Sequence, residues 1–304
     1  MTVTVLVPDD YGLAALSRVD GVRALRFSPG KPLPDGAEKA EILVPGFLVG
    51  PEAARIVHAL PGLRLVQLLT AGAESWVGKV PEGVRISIAR AAHGASTAEW
   101  VMTGLLSVYR EFTGFAVAQR EHRWTQHQTD TLHGKRILIV GAGNLAEELR
   151  RMLAPFGTTV ALVGTTARDG VHGIDELPSL LGDFDAVVLM VPVTSRTAGM
   201  VDAAFLARMA DGAILVNAAR GPVVRTDDLL AELHTGRLRA ILDVTDPEPL
   251  PAGHPLWDAP GLLLTPHVGG SSRGSMERGW AVATEEIARY VAGEEPRNLV
   301  HGEY

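Results

Sequence analysis

Cysteine is absent from the 304 residues. Disulfides, thiolate metal sites and a cysteine nucleophile are therefore excluded, and no metal site is expected. Aromatic residues are scarce, at 5%, and positive charge is in deficit: 28 Lys and Arg against 35 Asp and Glu, a formal net charge of −7. With no basic field to attract nucleic acid or an anionic membrane, neither is expected as a partner. No uninterrupted apolar run reaches the roughly 18–20 residues of a membrane span. The opening MTVTVLVPDD has no basic leader and meets two aspartates by residue 10, so it does not read as a signal peptide. A cytoplasmic location is the expectation.

What is present is an ordinary globular balance, 46% hydrophobic and 21% charged, enough for a sizeable core. The length suggests two domains. In the first third, TVTVLVP, EILVPGF, RLVQLLT and VRISIAR run apolar at nearly every position, as strands covered on both faces do. PEAARIVHALPG lies between the second and third with helical periodicity, giving a βαβ pattern and a parallel sheet. Next, HGASTAEWVMTGLLSVYREFTGFAVAQREHRW predicts one long helix, and Ser96-x-x-Glu99 fits a capping box at its start. A second series follows: RILIVGAG, TVALVGT, DAVVLMVP, AILVNAAR, RAILDVT and GLLLTPH. Its rhythm suits a doubly wound sheet. SMERGWAVATEEIARYVAGEEP reads as a final amphipathic helix.

Within RILIVGAGNLAEELRR, Gly141-x-Gly143-x-x-Ala146 falls between a strand and a helix. The first glycine makes the tight turn and the second lets a pyrophosphate approach the backbone. The third position needs a small residue for packing. The amides of Asn144 and Leu145 would face the phosphates at the positive end of the helix. The next strand should end in an acid that holds the ribose diol of NAD. The sequence instead reads VALVGTTARDG, with Thr165, Thr166 and Arg168. Nothing there repels a 2′-phosphate, and a guanidinium with two hydroxyls could bind one. The reading favours NADP; NAD is the alternative, with Asp169 supplying the acid.

Three later strand ends carry complementary polar groups. Arg220 ends ILVNAAR, Glu248 lies within AILDVTDPEPLP, and His267 ends GLLLTPH. The carboxyl ends of strands in a doubly wound sheet share one crevice, so the three can converge. An arginine fork binds a carboxylate at two points, and a histidine can donate a proton to a carbonyl oxygen as hydride reaches the carbon. A carboxylate beside that histidine raises its pKa. These are the parts needed to reduce a 2-oxo acid.

The order GAGNLA, VPVTSRT, VNAARGPVV, LDVTDPEPLP, HPLW, TPHVGG resembles the D-isomer-specific 2-hydroxyacid dehydrogenases, including their glyoxylate and hydroxypyruvate reductases. The resemblance implies an α/β fold of two Rossmann-like domains with a cleft between them. One is a doubly wound nucleotide-binding domain, expected over 98–282. The other is a smaller flavodoxin-like substrate domain, expected over 1–97 and 283–304. Arg220 is implied as the carboxylate-binding residue and His267 with Glu248 as the acid–base pair. Asp243 is implied beside the nicotinamide, Pro192 and Thr197 under the cofactor, and Ala218 and Gly269 along it. The loop at Ala71, Gly72 and Ala73 is implied to hold the substrate carboxylate through its amides. A homodimer is expected, acting on a small 2-oxo or 2-hydroxy acid. Two alternatives stay open: a nucleotide-sensing relative without catalysis, and a dehydrogenase of the formate or phosphite type. Trp76 follows the loop closely and reads either as a pocket wall or as an exposed residue of a domain contact. His93, His122, His127 and His133 read as surface or interface residues.

Overall fold

The computed structural model describes residues 2–47 and 51–302. From the amino terminus the elements are β1 (Val3–Val7), α1 (Asp10–Leu16), β2 (Val22–Arg26), β3 (Ala40–Leu43), β4 (Leu65–Gln67), β5 (Arg85–Ser87), α2 (Gly94–Tyr109) and α3 (Phe112–Arg120). They continue as β6 (Arg136–Val140), α4 (Asn144–Leu153), β7 (Thr159–Gly164), β8 (Val171–Gly173), α5 (Leu177–Leu180), β9 (Ala186–Leu189) and α6 (Ala203–Arg208). The last are β10 (Ile214–Asn217), α7 (Thr226–His234), β11 (Arg239–Leu242), β12 (Leu262–Leu264) and α8 (Ser275–Val291).

The chain divides into two compact units, Met1–His93 with Arg273–Tyr304, and Gly94–Ser272. The expected divisions, after 97 and 282, cut into α2 and α8. Each helix instead belongs whole to one unit, because its buried face packs into one core: Val101 and Leu105 of α2 against Ile137 and Ile139 of β6, Trp280 and Ile287 of α8 against Val5 and Val7 of β1.

The first unit holds a five-stranded parallel sheet in the order β2-β1-β3-β4-β5, the flavodoxin-like order. Successive residues of a strand point to opposite faces, so its apolar runs feed two cores. Leu6, Leu43 and Val66 enter one; Val5, Val7, Ile42 and Leu65 enter the other. The second unit holds a seven-stranded parallel sheet, β12-β11-β10-β9-β6-β7-β8. The chain starts in the middle at β6, winds outward through β7 and β8, then returns to β9 on the other side of β6. The boundary between β6 and β9 is therefore the topological switch point, where such sheets open a crevice at their strand ends. Period-two alternation again splits the strands: Ile137, Val188 and Val216 meet α2 and α4, while Leu138, Val187 and Leu215 meet the opposite helices.

Several expectations fail locally. The single long helix is two, α2 and α3, separated at Glu111, whose φ is +54°. Neither proline nor glycine marks the break. Ser96 lies inside α2 rather than capping it, since the helix already begins at Gly94. Residues Pro51–Ala59 form a 3-10 run rather than an α-helix. The strands β2 and β8 and the helix α1 were not expected.

Candidate functional site

Every residue with chemical promise in the second unit follows the carboxyl end of a strand. After β6, Gly141 adopts φ +133°, and a Cβ there would lie 2.4 Å from the Met190 carbonyl beyond β9. Only glycine lets the two strand ends approach this closely. A Cβ at Gly143 would meet nothing within 4 Å, so the turn presents open backbone. Asn144 and Leu145 begin α4, and the N–H groups of a first helical turn have no intrahelical partner. Ala146 is buried against the sheet. These features fit a pyrophosphate at the positive end of α4.

A cavity of about 360 Å³ opens at this turn, lined by Gly141, Gly143, Thr165, Arg168, Pro192 and Thr197 among others. The Thr197 hydroxyl donates to the Pro192 carbonyl at 2.5 Å and accepts from the Thr194 amide at 2.8 Å, which fixes the loop after β9. Six of the twelve expected cofactor residues thus share one cavity. Asn144, Leu145, Thr166 and Ala218 do not line it, and Asp243 and Gly269 lie elsewhere.

The other three strand ends build the second cluster. After β10, fully buried Asn217 braces the turn: its side chain donates to the Arg220 carbonyl at 2.9 Å and accepts from the Ala219 amide at 3.0 Å. A Cβ on Gly221 would fall 1.8 Å from the Thr245 carbonyl, so glycine is what allows the Arg220 turn to lie against the loop after β11. The Arg220 guanidinium donates to the Ala219 carbonyl at 2.7 Å. After β12, His267 takes φ +54°, a region rare for a residue with a side chain. Its amide is held by the Asp243 carbonyl at 2.7 Å and the Thr265 carbonyl at 3.1 Å.

Asp243 organises this turn with its carboxylate as well. One oxygen accepts from the Thr265 hydroxyl at 2.6 Å and the Val268 amide at 2.8 Å; the other accepts from the Gly269 amide at 2.7 Å. Trp100 of α2 donates in turn to the Thr265 hydroxyl at 3.0 Å. Asp243 and Gly269 therefore appear here as the frame behind His267. In this frame the Nδ1 of His267 meets Glu248 Oε1 at 2.6 Å. The Glu248 hydrogen bond holds the imidazole pKa above its ordinary 6.5, against burial, which lowers it; the Glu248 charge adds to the rise and the Arg220 charge opposes it. The same bond holds the Glu248 carboxyl below its ordinary 4.5, and Arg220 lowers it further. Asp243, Glu248 and His267 line a second cavity, of about 460 Å³, with Pro249, Leu250 and Trp257.

In the first unit, the loop Ala71–Gly72–Ala73 follows β4. Ala73 is fully buried and Gly72 half-buried, and the Thr70 hydroxyl donates to the Gly72 carbonyl at 3.2 Å. Trp76 is buried at 3% exposure within that unit's core, so it is not an exposed contact. His93, read as a surface or interface residue, is buried too. Its Nε2 lies 2.9 Å from the Leu69 carbonyl, and burial depresses its pKa. His122, His127 and His133 are exposed as expected. Among the described residues no cluster of three or more acidic or histidine side chains could hold a metal ion, and no helix is long and apolar enough to cross a membrane.

The family model for the NAD binding domain of D-isomer specific 2-hydroxyacid dehydrogenases matches residues 102–269. The chain belongs to this family. It is an NAD(P)-dependent D-2-hydroxyacid dehydrogenase, with the two-domain α/β fold of that class. A glyoxylate/hydroxypyruvate reductase A from Enterobacter sp. (strain 638) is 30% identical over 225 residues, covering 69% of this dehydrogenase and 72% of the relative. A D-isomer specific 2-hydroxyacid dehydrogenase from Xanthobacter autotrophicus, solved with NADPH and MES, is 30% identical with a TM-score of 0.84, covering 99% of this chain and 98% of that one. A family member from Aeromonas salmonicida is 25% identical with a TM-score of 0.86, covering 99% of both chains.

Sequence reasoning missed Asn217, Gly221 and the Trp100–Thr265 link. For Asn217 a signal existed: an amide closing an otherwise apolar interior strand must satisfy its polar atoms somewhere.

Proposed function

We propose that this dehydrogenase reduces a small 2-oxo acid to the D-2-hydroxy acid with NADPH. The observation that carries the reading is the 2.6 Å bond between His267 and Glu248, with the Arg220 charge acting on both. The dinucleotide would lie along Gly141, Gly143, the first turn of α4 and the loop Pro192–Thr197, and it supplies the hydride. Arg220 binds the substrate carboxylate and turns the neighbouring carbonyl towards His267. The imidazole gives its Nε2 proton to the carbonyl oxygen as that oxygen gains charge, and Glu248 steadies the charged ring beforehand. Oxidation runs the same proton in reverse. Asp243 holds the imidazole in place through the backbone.

Preference for NADPH is supported by Thr165 and Arg168 on the cavity wall where an acid would select NAD, and by NADPH in the Xanthobacter relative. Glyoxylate and hydroxypyruvate are the favoured substrates, from the name of the Enterobacter relative. The reading includes a cytoplasmic homodimer. Phe112 and Trp124, 64% and 92% exposed, give α3 and the segment after it an apolar surface suited to a second copy.

The test is an assay with NADPH and with NADH against glyoxylate, hydroxypyruvate, pyruvate and phenylpyruvate. Turnover should favour NADPH, and His267→Ala should lose about 10²–10⁴-fold in kcat with cofactor binding kept. Arg220→Ala should lose kcat/KM for the acid. Full turnover in His267→Ala would remove the acid–base assignment.

A further inference from the structure

The cavity at the ends of β6, β7 and β9 has cations on two walls. Arg168 comes from the segment after β7 and Arg196 from the loop after β9, and both line it. Among the described residues, none lining the cavity is a carboxylate and none forms an ion pair with either arginine. Two guanidiniums facing one space without an acid repel each other, and an anion between them relieves that repulsion.

The placement of Arg168 is built rather than loose. Arg168 donates through Nη2 to the Ala142 carbonyl at 3.1 Å, inside the glycine turn. Its backbone is fastened by reciprocal bonds with Val171 at 3.0 and 2.9 Å. The guanidinium lies across the end of β7 where Gly164 has no side chain. A Cβ there would stand 2.9 Å from Arg168 Nη1. On the facing wall the Arg196 amide donates to the Thr194 hydroxyl at 3.3 Å, within the loop that Thr197 fixes.

We propose that Arg196 is the second arm of a clamp for a 2′-phosphorylated adenosine, opposite Arg168, with Gly164 as the gap that admits Arg168. This rests on the NADPH reading and names the residues that enforce it. Arg168 takes the phosphate from the β7 side and Arg196 from the β9 side. A carboxylate at position 164 would do the reverse: it would displace or neutralise Arg168 and offer acceptors to a free ribose diol.

Calorimetric titration of the full chain with adenosine 2′,5′-bisphosphate and with 5′-AMP isolates the effect, because the two differ only in the 2′-phosphate. The wild type should prefer the bisphosphate. Arg196→Ala should weaken the bisphosphate about tenfold, equivalent to about 1.4 kcal/mol, and leave 5′-AMP unchanged. Gly164→Asp should abolish the preference. If Arg196→Ala weakens both nucleotides equally, the guanidinium covers the adenine ring and the clamp is wrong. If it weakens neither, Arg196 has no part in binding. A wild type that binds the two equally would overturn the NADPH reading itself.

Discussion

His267 and Glu248 share one proton-bearing contact, and its pH behaviour can be worked out. In the proposed mechanism reduction needs the charged imidazole, so the rate should stay level up to the raised pKa of His267 and fall above it. Glu248→Gln removes the main cause of that rise. The falling limb of the pH profile for kcat/KM should then move towards acid, while cofactor binding stays the same. An unmoved limb would mean that another group donates the proton. The same pair contributes to stability within a window. His267 has its folded pKa above 6.5, so its share is complete below 6.5 and is lost as pH rises through the folded value. Glu248 has its folded pKa below 4.5, so its share is complete above 4.5 and is lost as pH falls through the folded value. Both shares coexist between those two values. The approach of Glu248 to His267 was legible in the sequence because each is a polar group a few residues beyond the carboxyl end of an apolar strand. The burial of Trp76 was not, since a tryptophan after a glycine loop reads as a pocket wall or an exposed contact until the neighbouring strands are placed.

Elements differ in how clearly they are written. Interior strands such as β1, β6 and β10 are apolar at most positions and buried at every described position but the exposed first residue of β6, so their runs were readable. The edge strands β2 and β8 are only partly buried, and they leave little pattern to read. The break between α2 and α3 has no local marker; it falls where the buried face of α2 ends, at Tyr109, and an exposed segment begins. One inter-element packing is specified by a single missing side chain. Asp9 caps α1 by accepting from the Gly12 amide at 2.8 Å, and Gly12 sits under the Trp280 ring of α8. An alanine Cβ there would lie 2.5 Å from the ring and 2.9 Å from Val7 Cβ. Gly12→Ala should therefore destabilise the protein by about 1–3 kcal/mol, as overpacking does, despite the better helix propensity of alanine. Urea unfolding would measure it, and an unchanged midpoint would show that Trp280 moves freely.

At the scale of the whole molecule, the proposed dimer has a direct test. Sedimentation equilibrium should give about twice the chain mass of 32.3 kDa, and Trp124→Asp should shift the protein towards the monomer with its helical content retained. A monomeric wild type would remove the assignment. The two-domain α/β plan was readable from the strand rhythm, whereas the points of division were not, because a helix that leaves one sheet and packs on another looks continuous in one dimension. Within the second unit, the cavity at the β6–β9 switch and the one beside His267 have no lining residue in common. In the proposed mechanism, the choice of reductant and the delivery of the proton are consequently encoded in separate stretches of chain. A lineage, or an engineer, could exchange one dinucleotide for the other by substitutions at 164, 168 and 196 and leave the chemistry at the carbonyl untouched.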